Sequence, residues 1–287
     1  MTPTDKLRHL LNQPGTHFIP TCHDALSARL VVAAGFPSCL ISGYGIAASA
    51  FGLPDVGLVT QTEMATTIRA ICAIVPDFPF IADGDTGYGN AMDVRRTVFE
   101  YARAGAAAIM IEDQVAPKRC GHLSGKEVIP RKDAQLKIRA AVQARNEYGL
   151  DILIMARTDA LGPLGFDEAL ARSLDFQEEG ADILFIEAME TADEMSAFCN
   201  AVERPTVGNN FQGGKSPYLG RQRLTDIGFK IVTDPTLLFS AAHAMRAHLR
   251  ALAAGDDGAL PPRLSFDEMK DVVDLATHWE ISSRYKI

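Results

Sequence analysis

No run of apolar residues in this 287-residue chain approaches the length needed to span a bilayer. The N-terminal Met-Thr-Pro-Thr-Asp-Lys also lacks the basic start and apolar core of a secretory signal. Basic clusters are missing too. The 28 Lys and Arg residues are scattered among 36 Asp and Glu, giving a formal net charge of -8, and such a chain offers no stripe for nucleic acid and no patch for an anionic membrane. The five cysteines, Cys22, Cys39, Cys72, Cys120 and Cys199, are odd in number and show no CxxC spacing. Neither a disulfide framework nor a zinc cluster is therefore indicated, and a reducing cytoplasm is the expected compartment. The expected partner is a small anionic substrate, which needs a local pocket of Arg, Lys or metal in so acidic a chain.

What the chain does have is regular alternation. Short apolar runs predict strands at 18–22, 38–41, 78–82, 106–111, 152–156, 183–186, 206–207 and 229–232. Between and around them, amphipathic stretches predict helices at 4–11, 23–34, 61–75, 91–104, 130–148, 166–179, 191–202, 221–227, 237–253 and 266–284. Gly35, Gly105, Gly180 and Gly228 each stand just before a strand, as expected where a left-handed residue ends a helix and turns the chain back. No change of composition marks a linker before Gly255. The economical architecture is a single α/β domain over residues 1–287, a (β/α)8 TIM barrel, with 259–287 as an appended C-terminal helical extension. A doubly wound open sheet is the alternative. The extension has Val272, Val273, Leu275 and Trp279 to bury, against another subunit or against its own barrel.

Polar groups recur where strands end: Ser42, Asp83, Asp85, Glu112, Arg157, Glu187 and Asn209. A barrel would bring all of these to one mouth, although a strand-end Asp is often only a helix cap. Asp83, Asp85 and Glu112 supply hard oxygen donors without a histidine, which suits Mg²⁺ rather than zinc; two loop-capping aspartates are the simpler alternative. Ser42-Gly43-Tyr44-Gly45 reads as a loop of exposed backbone N–H groups fit for a carboxylate, or as an ordinary turn. Gly84, Gly87 and Gly89 permit tight turning or close approach of a ligand. The segment from Ile111 to His122 runs from a buried strand through two carboxylates into Lys118, Arg119, Cys120 and His122. The two cations beside Cys120 would stabilise a thiolate, making it a proton donor or nucleophile; a half-buried loop thiol is the alternative. Arg157 follows a fully apolar strand and is costly there unless it pairs with Glu187, another loop carboxylate or an anionic substrate. His23, His243 and His248 have no identifiable partner.

Asp83-Gly84-Asp85-Thr86-Gly87-Tyr88-Gly89, Glu112-Asp113-Gln114 and Lys118-Arg119-Cys120-Gly121-His122 resemble the isocitrate lyase and phosphoenolpyruvate mutase superfamily, over nearly the whole chain. The Lys-Arg-Cys-Gly-His loop looks like its lyase branch. The resemblance implies a Mg²⁺-dependent barrel, with Mn²⁺ a possible substitute, whose last helix is exchanged within a dimer, usually in a homotetramer. Asp83 and Asp85, with Glu112, would hold the metal directly or through water. Ser42, Gly43 and Tyr44 would bind the carboxylate of an α-oxo acid, and Cys120, Gly121, Arg157, Glu187, Asn209, Asn210 and Phe211 would complete the pocket. Cys120, Arg157, Tyr44, Lys118 and His122 are the catalytic candidates for a retro-aldol cleavage of a 2-hydroxy dicarboxylate, with Cys120 protonating the carbanion-like product. Two departures bear on substrate. Methylisocitrate lyases carry an Arg shortly after the eighth strand, where this chain has Leu237-Leu238-Phe239-Ser240 and no Arg until Arg246; Gln212 stands where a Glu is usual. These features look more like the dimethylmalate lyase and petal death protein group, which cleaves alkylated malates. Methylisocitrate cleavage, oxaloacetate hydrolysis or decarboxylation, and a non-catalytic acid-binding barrel are the alternatives.

Overall fold

The computed structural model describes residues 1–121, 123 and 125–285. Thr2 caps helix α1 (Pro3–Asn12), which lays Leu7, Leu10 and Leu11 across the bottom of the barrel. There follow β1 (His17–Cys22), α2 (Ala25–Ala33), β2 (Cys39–Ile41), α3 (Gly43–Phe51), α4 (Gln61–Ile74), β3 (Phe80–Asp83), α5 (Ala91–Ala104) and β4 (Ala108–Glu112). The second half contains α6 (Arg131–Glu147), β5 (Leu153–Thr158), α7 (Leu161–Leu164), α8 (Phe166–Glu178), β6 (Ile183–Ile186), α9 (Ala192–Ala201), β7 (Thr206–Asn209), α10 (Arg221–Ile227), β8 (Ile231–Asp234) and α11 (Leu237–Ala254). After a 3-10 turn at Asp257–Ala259 come α12 (Phe266–Val272) and α13 (Leu275–Arg284).

The eight strands are parallel and close into a barrel, because β1 pairs with β8 as well as with β2. That closure excludes the open sheet. Successive strand residues face opposite sides, so the continuous apolar strands fill two cores at once. Ile19, Leu40, Ile81, Met155, Phe185 and Ile231 fill the interior, while Ile41, Phe80, Ile109, Ile154, Leu184 and Val232 pack outward against the helices. The helix-ending glycines behave as expected: Gly35, Gly105, Gly180 and Gly228 have φ of 79°, 98°, 94° and 103°.

The structure departs from the sequence reading in three places. Ser42-Gly43-Tyr44-Gly45 is no loop but the start of α3: the Ser42 hydroxyl accepts the Gly45 N–H at 3.0 Å and the Ser42 carbonyl that of Ile46 at 2.9 Å. Glycine lowers helix propensity, and here the cap and the small residues that follow compensate. The last helix is two, broken at Asp274, whose φ of 56° lies in the left-handed region. Strands β5, β7 and β8 also continue past their apolar runs into Arg157, Asn209 and Asp234, because ladder hydrogen bonds persist where hydropathy ends. Helices α11, α12 and α13 bury little: Ala251 is their one fully buried residue among those described, and Met245, Leu249, Phe266 and Trp279 stand exposed. Among the described residues no helix is long and apolar enough to cross a membrane.

Candidate active site

The C-terminal ends of the strands open into a cavity of about 470 Å³. Its polar wall carries Ser42, Asp83, Lys118, Arg157, Glu187 and Asn209, contributed by the ends of β2, β3, β5, β6 and β7 and by the loop after β4. Tyr44, Phe185, Phe211, Leu123, Val56 and Phe239 form an apolar wall, in which Tyr44 and Phe239 meet edge to face at 5.8 Å. Cys120 and Gly121 line the same space.

Arg157 is the hub. Its Nε and Nη2 donate to the two oxygens of Asp159 at 2.9 and 3.1 Å, and Nη2 also lies 3.2 Å from Glu187 and 3.3 Å from Glu112. Glu112 and Arg157 are register partners on neighbouring strands, so their side chains leave the sheet on the same face. Burial disfavours the guanidinium charge, yet Asp159, Glu187 and Glu112 together push its pKa well above the ordinary value. Asp159 is held low in turn: burial would raise it, but Arg157 and Lys126 outweigh that effect. Asn209 donates to Glu187 at 3.2 Å and accepts from Thr233.

A second group of charges lies beside the first. Asp83 accepts the N–H groups of Gly43 and Asp85, each at 3.1 Å. Lys118 Nζ is 2.6 Å from Asp85 and 2.5 Å from Asp55. Burial first, then Asp85, raises the pKa of Asp83, and burial raises Glu112 well above its usual value despite Arg157. Burial opposes the Lys118 charge, but the summed field of Asp85, Glu112, Asp83 and Asp55 holds it well above the ordinary lysine value. A Cβ at Gly43 would fall 2.7 Å from Asp83 Oδ2 and 3.3 Å from Asp85 Oδ1, so only glycine fits between α3 and this acidic pair. Gly43 and Gly45 donate to Asp83 and Ser42, and among the described residues the Tyr44 N–H in the first turn of α3 has no acceptor.

The loop between β4 and α6 starts from a narrow neck, where Val115 donates to Glu127 and Ile129 to Asp113, both at 2.9 Å. Gln114 pairs with the backbone of Arg119 through both its amide atoms. Gly121 then lies directly on the hub: a Cβ there would fall 2.4 Å from Arg157 Nη2 and 2.7 Å from Glu187 Cγ.

Most of the expected residues therefore converge: Ser42, Gly43, Tyr44, Asp83, Lys118, Cys120, Gly121, Arg157, Glu187, Asn209 and Phe211 surround one space. One expectation needs correction and three others gain detail. The Asn210 side chain turns the other way and exchanges two hydrogen bonds with the backbone of Leu219, beside a separate cavity. Lys118, expected beside the Cys120 thiol, is also paired with Asp55 and Asp85. Asp85 and Glu112 lie behind the cavity wall, in contact with Lys118 and Arg157. Of the two alternatives for Gly84, tight turning is the one seen: its carbonyl accepts the Gly87 N–H at 2.9 Å, and a Cβ there would meet the Met110 carbonyl at 2.6 Å. His122 lies outside the described residues. The sequence reading missed Asp55, Asp159 and Lys126, which the fold pairs across the chain: Asp55 with Lys118, and Asp159 with Lys126 as well as with the nearby Arg157.

The site holds six carboxylates, Asp55, Asp83, Asp85, Glu112, Asp159 and Glu187, against Lys118, Lys126 and Arg157. Anion binding to a site with a formal excess of three negative charges calls for an added cation. Among the described residues the buried Glu112 Oε1 has no hydrogen-bond partner, which fits an oxygen reserved for a hydrated ion. Among the described residues no three His, Cys, Asp or Glu side chains are grouped to coordinate a metal directly. This donor set suits Mg²⁺, which keeps several waters and takes few protein ligands.

An eight-stranded barrel that gathers buried acids, one arginine and a loop cysteine at its mouth is an enzyme for small anions. The chain belongs to the phosphoenolpyruvate mutase/isocitrate lyase superfamily: the sequence model of the phosphoenolpyruvate phosphomutase family matches residues 7–253. It is 40% identical over 288 residues to the 2,3-dimethylmalate lyase of Eubacterium barkeri, covering 99% of each chain. Its fold matches that of oxaloacetate acetylhydrolase bound to 3,3-difluorooxalacetate with a TM-score of 0.94 and 34% identity, over 99% of this chain and 97% of that one. A phosphonopyruvate hydrolase in complex with oxalate and Mg²⁺ matches with a TM-score of 0.85 and 30% identity over the whole of both chains.

Proposed function

We propose that this protein is a carbon–carbon lyase that cleaves a 2-alkylmalate, such as 2,3-dimethylmalate, into pyruvate and a saturated carboxylate. The observation that carries this reading is the seating of Gly121 on the Arg157–Glu187 pair, which sets the Cys120 thiol and a guanidinium on one cavity. Arg157 would face the C2 oxygen and the adjacent carboxylate, and the Tyr44 N–H at the positive end of α3 would hold that carboxylate. A cavity carboxylate takes the hydroxyl proton as the C2–C3 bond breaks. The bond electrons then remain on C3, which receives the proton of Cys120. Asp83, Asp85 and Glu112 would hold Mg²⁺, directly or through water, and the ion when bound would supply neutralisation of negative charge at the C2 oxygen. Lys118, kept charged by its carboxylates, would act as a fixed cation and not as a proton carrier. Phe185, Phe211, Phe239 and Leu123 offer surface for alkyl groups, and Lys118 and Arg157 are the cations lining the cavity among the described residues. A third substrate carboxylate thus has no dedicated partner, which supports alkylmalates over methylisocitrate; the 42% identity to the 2-methylisocitrate lyase of Aeropyrum pernix, over 82% of this chain, keeps that acid in the test.

Oxaloacetate hydrolysis is the second reading, supported by the fold match to oxaloacetate acetylhydrolase. Assaying (2R,3S)-2,3-dimethylmalate, 2-methylisocitrate and oxaloacetate in parallel with Mg²⁺ separates these activities. Pyruvate is expected chiefly from dimethylmalate. Oxalate and acetate from oxaloacetate, with no pyruvate from either hydroxy acid, would establish the hydrolase instead. We further propose a cytoplasmic homotetramer built from dimers that exchange C-terminal helices, since the exposed apolar residues of α11 and α13 need a cover. Light scattering should then give about four times the 31.0 kDa chain mass; a monomer would refute it.

A further inference from the structure

Lys126 occupies an unusual position on the Cys120 loop. Its neighbours Gly125 and Glu127 are exposed, yet its side chain is 3% exposed and its partner Asp159 is 0% exposed. A lysine is rarely buried to this degree unless it is paired for a purpose. Lys126 Nζ donates to Asp159 Oδ1 at 2.7 Å, and that same oxygen accepts Arg157 Nη2 at 3.1 Å. The carboxylate that orients Arg157 is therefore shared with a cation belonging to the loop that carries the cysteine.

Asp159 is itself fixed to the barrel. Its backbone N–H donates to Asp113 at 2.8 Å, and Asp113 also accepts Thr158 Oγ1 at 2.7 Å and Arg172 at 3.0 Å. Lys126 sits one residue inside the neck formed by Val115 and Glu127, and its stem passes Gly162 of α7. Arg157 Nη2 meanwhile stands between Asp159, Glu187 and Glu112, so its aim depends on how strongly each carboxylate draws it. Lys126 therefore shares the very oxygen to which Nη2 donates, and Nη2 is also the atom on which Gly121 of the same loop rests.

We infer that Lys126 is a positioning residue which, through the shared Asp159 carboxylate, sets the Cys120 loop and the Arg157 guanidinium relative to one another. The inference rests on the lyase reading only for what the thiol and guanidinium do; the coupling between them is a matter of geometry. Its test uses the full-length protein and needs no substrate. The Cys120 alkylation rate with iodoacetamide, read by peptide mass spectrometry, reports the loop. Oxalate affinity in the presence of Mg²⁺, read by calorimetry, reports Arg157. In Lys126→Met, alkylation should accelerate and oxalate affinity fall, each by about tenfold, within the roughly 5- to 150-fold usual for coupled sites. Lys126→Arg, which keeps the charge, should restore both to within about threefold. Should the Met variant not fold, Lys126→Gln is expected to move both readouts in the same direction. A Met or Gln variant that loses thermal stability while both readouts stay at wild-type values would overturn the inference and leave only a buried structural pair. Absence of pyruvate from every hydroxy acid would sink the lyase reading alone, since neither readout here involves turnover.

Discussion

Adding one methyl group at Gly121 tests the site at its tightest contact. The new Cβ would lie 2.4 Å from Arg157 Nη2, 2.7 Å from Glu187 Cγ and 2.8 Å from Glu187 Cδ, whereas ordinary contact begins near 3.4 Å. Neither partner can move aside cheaply: Arg157 is gripped by both oxygens of Asp159, and Glu187 is held by Asn209. The φ of Gly121 lies outside the left-handed region, so alanine adds no backbone strain and the conflict is purely steric. The loop must lift by about 1 Å, carrying Cys120 with it, and a misplacement of that size costs about 10²-fold in rate. This corresponds to about 2.7 kcal/mol of transition-state stabilisation. Stability should change little, because the displaced segment packs on the site and not on the core; a Tm shift within about 4 °C corresponds to roughly 1 kcal/mol for a chain of this size. The assay is kcat and KM for pyruvate release from dimethylmalate, with Tm from calorimetry on the same preparation. Wild-type turnover in Gly121→Ala, or a loss explained by unfolding alone, would refute the seated-loop geometry.

Cys120→Ser should lower turnover by about 10²- to 10⁴-fold, the usual worth of a positioned proton donor, while leaving Mg²⁺-dependent oxalate binding intact; unchanged turnover would end the protonation role. Chelation should abolish activity, and Mg²⁺ at a hundred times its Kd should add about 2.7 kcal/mol of stability. Asp83→Asn should lose that stabilisation, and a variant that keeps it in full would show the ion to be held elsewhere. The Asp159 carboxyl is held below its unfolded value of about 3.9. Its contribution is therefore fully present above about pH 4 and is lost as pH falls through the lower folded value. Asp159→Asn should flatten the fall of Tm with pH below about 4; an acid limb as steep as in the wild type would place that sensitivity elsewhere.

The barrel was legible in the chain because its signals are local. Apolar runs of strand length, amphipathic stretches between them and glycines at helix ends each reflect a preference that a residue expresses with its near neighbours; that the eight strands close, where an open sheet was the alternative, was decided by the pairing of β1 with β8. The loop cysteine and the strand-end carboxylates could be read for the same reason, since they interrupt a periodic pattern. Spatial pairing could not. Lys118 and Cys120 are two residues apart, yet the lysine spends its charge on Asp55 and Asp85. Asn209 and Asn210 are adjacent and chemically alike, but they point to opposite sides, so that Asn209 reaches Glu187 and Asn210 the Leu219 backbone. That Glu112 stands beside Arg157 is decided by the register of β4 against β5, and that Lys126 meets Asp159 is decided by the path of a loop around its neck. Composition and periodicity determined which elements form and which chemical groups exist. Only the closed barrel decided which charges share a dielectric, because the field at a buried carboxylate depends on distances between segments far apart in the chain.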